Sequence, residues 1–188
     1  MVRAMLCAAV VAAACFAGNL HADEAGGKCL AKGDSIGAFY VTKVAGAEND
    51  GVEAGQELCY RCRYGGSPMV MVFARKSNSK VNDLVSQLNK AVESHSDARL
   101  KSFVTLMGSD EESLKKEAKK LASSTSVNNT PIVVAKDTKN GPSNYKLNPK
   151  DEVTVVIAAN GQVVANHGFA AESVDVAAVM KAVESAVK

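Results

Sequence analysis

The sequence MVMVFARKSNSKVNDLVSQLNKAVESH, residues 69–95, joins an uninterrupted apolar run to a segment with helical spacing. The run 69–74 contains no polar residue, which is the pattern of a strand covered on both faces of a parallel sheet. Apolar residues then recur three and four positions apart behind Ser and Asn, two residue types that cap helices. They are Val81, Leu84, Val85, Leu88 and Val92. We therefore predict a buried strand followed by a helix.

Downstream, the same alternation of strand and helix continues. The segment LKSFVTLMG, residues 100–108, predicts a second strand. The segment SDEESLKKEAKKLASS, residues 109–124, predicts a second helix that opens with a Ser109 cap and has acidic residues in its first turn. TPIVVAKD, residues 130–137, predicts a third strand.

The C-terminal part predicts a hairpin and a last helix. EVTVVIAANGQVVANHGF, residues 152–169, contains two strand-like runs joined by Asn160-Gly161, the strongest short hairpin signal. The final helix, within residues 173–187, has one apolar face. That face consists of Val174, Val176, Val179 and Val183.

Upstream of the central strand, AFYVTKVAGA, residues 38–47, predicts a first strand or edge hairpin because it is β-branched and aromatic. Residues 48–68 contain several glycines and predict a loop. The Cys59-Tyr60-Arg61-Cys62 motif lies at the end of that loop.

The order of elements predicts an α/β domain. A β-α-β-α-β unit followed by a hairpin and a helix gives a mixed central sheet with helices on both faces. This is the plan of the thioredoxin fold with an extra N-terminal strand. From about Gly37 onward, the segments quoted above also resemble, in pattern and order, those of peroxiredoxins of the alkyl hydroperoxide reductase and thiol-specific antioxidant type. The resemblance implies a thioredoxin-like domain with a C-terminal β-hairpin plus helix.

The sequence differs from that family in the segment that carries the family's reactive cysteine. Peroxiredoxins place a reactive Cys after the first core strand, and thioredoxins place their Cys-x-x-Cys pair there. Residues 74–82, ARKSNSKVN, contain no Cys, Thr or Pro. We therefore expect no peroxidase activity of the peroxiredoxin kind, and we expect Ser77 and Ser79 to act as helix caps. The cis-proline usual before the hairpin is also missing from KDEVTVVI, residues 150–157, and we expect a trans bond at Pro131.

The N-terminus indicates export. Residues 1–22 combine a basic start at Arg3, an apolar run and the small residues typical of a signal peptide cleavage site. We predict a signal peptide over 1–22, a flexible segment over 23–36 and a thioredoxin-like domain over 37–188 in a periplasmic or secreted protein. Lipid anchoring at Cys15 is the less favoured alternative, because the Leu usual three positions before an acylated Cys is missing.

Charge and hydropathy exclude two classes of partner. The chain has 22 Lys and Arg residues and 20 Asp and Glu residues, a net charge of +2, and the lysines are spread among acids. This pattern gives no indication of nucleic acid binding. The apolar run near the N-terminus is interrupted by Gly18, Asn19 and His21, so we predict no stable membrane span.

Removal of the signal peptide would leave Cys29, Cys59 and Cys62, which implies one pair and one odd thiol. We predict that Cys59 and Cys62 bond to each other. Arg61 and Arg63 stand directly before and after Cys62, and nearby positive charge favours a thiolate. The pair is therefore a candidate catalytic site for thiol–disulfide exchange with protein thiols or disulfides. By analogy with thioredoxins, Cys59 is expected to attack and Cys62 to resolve.

Other interpretations of the pair stay open. It is also consistent with a structural disulfide or with inert thiols on a non-catalytic binding or scaffold module. We predict no cofactor and no metal site: tetrahedral zinc needs four ligands, usually in two paired clusters, and residues 23–188 offer only Cys29, His95 and His167 as Cys or His ligands besides the pair. Haem attachment needs a His directly after the motif, where Arg63 stands.

Overall fold

The computed structural model describes residues 29–188. This part of the chain forms strands and helices that alternate in the predicted order. The strands are β1 (Val41–Ala45), β2 (Glu57–Leu58), β3 (Met69–Ala74), β4 (Lys101–Leu106), β5 (Ile132–Ala135), β6 (Val153–Ala159) and β7 (Gln162–Phe169). The helices are α1 (Tyr60–Tyr64), α2 (Ser79–Ser94), α3 (Glu111–Thr125) and α4 (Val176–Ala186).

The strands form one mixed sheet in the order β2-β1-β5-β4-β3-β6-β7. Strands β3, β4 and β5 are parallel, as expected for strands joined by the crossover helices α2 and α3. Strand β6 runs antiparallel to β3, and β7 runs antiparallel to β6. The N-terminal strand β1 pairs antiparallel with both β5 and β2. The predicted thioredoxin-like α/β fold is confirmed.

The two faces of the sheet are covered differently. The long helices α2, α3 and α4 share one face, where they pack on Val70, Val72 and neighbouring apolar side chains. The opposite face is covered by the short helix α1, a 3₁₀ turn at Ser143–Tyr145 and the N-terminal segment. Every residue of β3 is buried, as the continuous apolar run predicted.

The predicted turn is confirmed, and the caps differ in detail from the prediction. Asn160 and Gly161 both have positive φ, at 52° and 77°, which matches the two-residue hairpin turn. Helix α2 is capped by Asn78, so the predicted Asn cap is confirmed and the cap role of Ser77 and Ser79 is not, and α3 is capped by Asp110 rather than by Ser109. In each case the shifted cap is the residue whose side-chain oxygen reaches a free backbone N–H of the first turn. The peptide bond at Pro131 is trans, as expected.

The predicted loop over residues 48–68 contains regular structure. Its end forms β2 and the five-residue helix α1, which begins after Cys59 and ends at Gly65, where φ is +60°. Helices this short are not stable alone, so the helix depends on its contacts with the sheet. That dependence on tertiary contacts is why the local sequence favoured a loop.

The described part of the predicted flexible segment belongs to the folded domain. Leu30 and Ile36 are buried, and backbone hydrogen bonds join Gly33 and Asp34 to Val163 of the hairpin. The predicted signal peptide over 1–22, with Cys15, lies outside the described residues. Within residues 29–188, no helix combines the length and apolar character needed to cross a membrane.

Candidate functional site

The two cysteines of the motif form a disulfide. The Cα atoms of Cys59 and Cys62 lie 5.2 Å apart, within the range of about 4.4–6.8 Å that disulfides require. Cys29 is free and exposed among the described residues. The predicted pairing and the predicted odd thiol are both confirmed.

The two sulfurs have different surroundings. Cys59 is 7% exposed and caps helix α1, where its Sγ accepts a hydrogen bond of 3.1 Å from the backbone N–H of Cys62. Cys62 is exposed. An external thiol can therefore approach Cys62 more readily than Cys59, which is the reverse of the order expected by analogy with thioredoxins.

Two tyrosines attach the disulfide helix to the sheet. The ring of Tyr60 stacks on Phe103 of β4 with centroids 5.7 Å apart, and Tyr64 contacts the same ring at 6.1 Å. Burial and the hydrogen bond to Asp50 raise the pKa of Tyr60 far above its usual range, so its hydroxyl remains a donor at all physiological pH values.

An ion pair between the buried Lys43 of β1 and the partly buried Asp50 of the following loop supports the helix. Lys43 is 3% exposed, and its Nζ contacts Asp50 Oδ1 at 2.7 Å and the carbonyl oxygens of Ala47 and Val52 at 2.9 and 2.8 Å. The other carboxylate oxygen of Asp50 accepts a hydrogen bond of 2.6 Å from Tyr60. Desolvation opposes ionisation of Asp50, but the hydrogen bonds from Lys43 and Tyr60 outweigh it and lower the pKa.

Sequence reasoning missed this network. Lys43 occupies a strand and Asp50 a glycine-rich loop, both normal places for solvated charges. The one available signal was a lysine between the apolar residues Val41 and Val44 of a predicted strand.

The two arginines next to Cys62 differ in their contacts. Arg63 donates from Nη2 to the backbone oxygen of Asp50 at 2.6 Å. The Arg61 side chain lies beside the β6–β7 turn. Its Nη2 is so close to Gly161 that a Cβ atom added to this glycine would be 3.2 Å from it. Its Nε is buried and forms no hydrogen bond with residues 29–188.

The disulfide and the usual catalytic position of the fold lie at opposite ends of β3. Helix α1 precedes Met69, whereas α2 follows Ala74, and at about 3.3 Å per residue a six-residue strand separates its ends by about 17 Å. At the far end, a cleft of about 540 Å³ is lined by Ser77, Asn78 and Ser79 among others. As the sequence predicted, the Cys pair lies before β3 and not after it, where thioredoxins carry theirs.

The histidines named in the sequence analysis lie elsewhere. His95 pairs with Glu184 at 2.9 Å, and His167 stacks on Phe169. Over residues 29–188, no three His, Cys, Asp or Glu side chains are grouped as metal ligands.

Comparison with known proteins supports the fold. No protein-family model and no curated protein sequence matches this chain. Among solved structures, a candidate thiol:disulfide interchange protein DsbE from Chlorobium tepidum superposes with a TM-score of 0.62 at 15% identity, covering 85% of this chain and 99% of that chain.

Two further solved structures are similar. AhpC of Mycobacterium tuberculosis has a TM-score of 0.60 at 17% identity, with 84% of this chain and 93% of that chain covered. The thioredoxin domain of a thiol-disulfide oxidoreductase from Bacteroides vulgatus has a TM-score of 0.57 at 16% identity, with 82% and 99% covered. At these identities the likeness shows a thioredoxin-like fold.

Proposed function

We propose that the protein is an exported thiol–disulfide oxidoreductase that acts on protein thiols through Cys59 and Cys62. The observation that supports this proposal most directly is the asymmetry of the disulfide: one sulfur belongs to an exposed residue and the other is buried and hydrogen-bonded. Exchange needs one sulfur that a partner can reach and one that leaves readily.

In the oxidised protein, a thiolate of the partner attacks Cys62 Sγ. A partner–Cys62 disulfide forms as the Cys59–Cys62 bond breaks, and Cys59 leaves as a thiolate. A second thiolate of the partner then attacks the partner's own sulfur in the mixed disulfide and releases Cys62 as a thiolate. The partner dithiol has lost two electrons and two protons, and the Cys59–Cys62 pair has gained them. The same steps run in reverse when the pair meets a more oxidising disulfide.

Cys59 is suited to be the leaving sulfur. The Cys62 N–H that points at its Sγ stabilises negative charge there, and leaving thiols of lower pKa depart faster. We therefore assign the exchange role to Cys62 and the resolving role to Cys59, opposite to the order that the thioredoxin analogy implied.

The alternative function is a non-catalytic binding or scaffold module with a structural disulfide. The position of the pair favours it, because the disulfide lies at the end of β3 opposite the usual catalytic position and residues 74–82 carry no Cys. Against it, a disulfide that spans three positions constrains the unfolded chain little, so its contribution to stability is small.

Single-cysteine variants test the proposal. In a Cys29→Ser background, Cys59→Ser leaves Cys62 to form a stable mixed disulfide with an aromatic disulfide reagent, while Cys62→Ser leaves the buried Cys59. We expect the Cys59→Ser protein to react at least about tenfold faster than the Cys62→Ser protein, because thiol reactivity follows access. Neither variant should catalyse complete exchange with a small dithiol, whereas Cys29→Ser alone should. Full exchange activity in both variants, or none in the unaltered protein, would favour the scaffold module.

A further inference from the structure

We propose that Arg61 recognises a carboxylate on the partner, so that the preferred exchange partner is a cysteine with acidic residues beside it. This inference rests on the proposed exchange at Cys62. It concerns Arg61, the residue directly before Cys62, whose side chain forms no hydrogen bond or ion pair within residues 29–188.

The contacts of Arg61 leave its donors unused. Its Nε is buried and unpartnered within the described chain, and neither Arg61 nor Arg63 forms an ion pair with a described acid. A guanidinium has five N–H donors, and buried donors are normally hydrogen-bonded in a complete site. The described residues provide no acceptor for this guanidinium, and because Nε is itself buried, a carboxylate of the partner would meet the terminal Nη1 and Nη2 groups.

Asp50, the acid that contacts helix α1, forms no hydrogen bond or ion pair with Arg61 and has other partners. One of its carboxylate oxygens is bonded to Lys43 and the other to Tyr60, and its backbone oxygen accepts from Arg63. The positive charge of Arg61 consequently remains without a neutralising partner beside the exposed Cys62.

The hairpin turn directs the arginine. Gly161 has no side chain, which leaves room for the guanidinium of Arg61. A Cβ atom at position 161 would lie only 3.2 Å from Arg61 Nη2. The terminal nitrogen of Arg61 therefore lies against the β6–β7 turn. A preorganised guanidinium binds a carboxylate with two parallel hydrogen bonds, which a lysine cannot reproduce.

The test compares two blocked peptides, Gly-Glu-Cys-Glu-Gly and Gly-Gln-Cys-Gln-Gly, as thiols that reduce the oxidised full chain to the mixed disulfide. Rates are measured for the unaltered protein, Arg61→Gln and Arg61→Lys, with Arg75→Gln as the matched control. Arg75 lies at the other end of β3 and donates to the Lys139 backbone, so this control removes the same charge far from the disulfide. The two peptides differ in intrinsic thiol reactivity. We therefore compare the ratio of their rates between protein variants, because this difference is the same for every variant.

We expect Arg61→Gln to lower the acidic-to-neutral rate ratio about tenfold at low salt, Arg61→Lys to lower it less, and Arg75→Gln to leave it unchanged. Glutathione, a small acidic thiol, is measured as a third reductant. If Arg61→Gln lowers its rate as much as that of the acidic peptide, Arg61 recognises the carboxylate itself and not a longer peptide segment. An unchanged ratio in Arg61→Gln overturns the inference and leaves the proposed function intact. An equal loss for both peptides also overturns it, because Arg61 would then act on thiol acidity. Failure of every thiol to react contradicts the proposed function itself.

Discussion

The Tyr60 hydroxyl, which belongs to the residue directly after Cys59, donates a hydrogen bond of 2.6 Å to Asp50. Asp50 in turn pairs with the buried ammonium of Lys43 at 2.7 Å. The disulfide helix is therefore attached to a charged network that belongs to the preceding strand and loop. This network and the contacts of Tyr60 and Tyr64 with Phe103 join the disulfide helix to the sheet.

Replacement of Asp50 by Asn should destabilise the protein by about 3 kcal/mol at neutral pH, because it leaves the buried Lys43 without its counter-charge. Chemical denaturation measures the difference. Asp83→Asn on the exposed surface of α2 is the control, and its effect should be within about 0.5 kcal/mol. Equal stability of Asp50→Asn and the unaltered protein would show that the ion pair is not important for the fold.

The cost of the Asp50 substitution should also depend on pH. Desolvation opposes its ionisation, but hydrogen bonds lower its folded pKa below the unfolded value of 3.8. The stabilisation is therefore present above pH 3.8 and is lost as the pH falls through the folded pKa. Denaturation curves at pH 7, 5 and 3 should show a difference that is constant at the two higher values and smaller at pH 3.

Tyr60→Phe should cost about 1–2 kcal/mol, because it removes a hydrogen bond to a charged acceptor and keeps the ring stacked on Phe103. Tyr64→Phe is the matched control. The Tyr64 hydroxyl contacts the Ser102 carbonyl at 3.4 Å, which is too long for a strong bond, so its removal should cost less than about 0.5 kcal/mol. Similar losses for the two variants in denaturant titrations would contradict the role assigned to the Tyr60–Asp50 bond.

The protein should not turn over hydroperoxides with thiols at peroxiredoxin rates. Residues 74–82 provide no Cys at the start of α2, where Asn78 serves only as the cap. A coupled assay with a peroxiredoxin as positive control measures this directly. Turnover comparable to that of the control would require a peroxidatic thiol elsewhere in the chain.

Export predicts cleavage after Ala22. Protein recovered from outside the cytoplasm should begin at Asp23, since residues 1–22 have the three-region pattern of a signal peptide. N-terminal sequencing or intact mass measurement checks this, and exported protein that begins at Met1 would contradict it. An acylated N-terminus at Cys15 would support the lipoprotein alternative.

The sequence predicted the elements whose patterns are local and long. The apolar face of α2, the continuous run of β3 and the Asn160-Gly161 turn each follow from periodicity or turn chemistry, and each is present. Helix α1 was not predicted, because five residues carry too little local signal and the helix is held by Tyr60 and Asp50.

The candidate site was predicted only in part. The disulfide partners follow from spacing, but the burial of Cys59 relative to Cys62 depends on how α1 packs on β4. The position of the Arg61 guanidinium beside the β6–β7 turn depends on Gly161, which is distant in sequence. Both properties arise from tertiary contacts that no local pattern encodes.

The most direct test of the account is a redox titration of the Cys59–Cys62 pair in glutathione or dithiothreitol buffers, with mass-spectrometric mapping of Cys29, Cys59 and Cys62. A pair that serves exchange should have a reduction potential between about −120 and −270 mV, as exchange catalysts do, with Cys29 outside the titrating disulfide. A potential below about −300 mV, as in inert structural disulfides, would contradict the proposed oxidoreductase function.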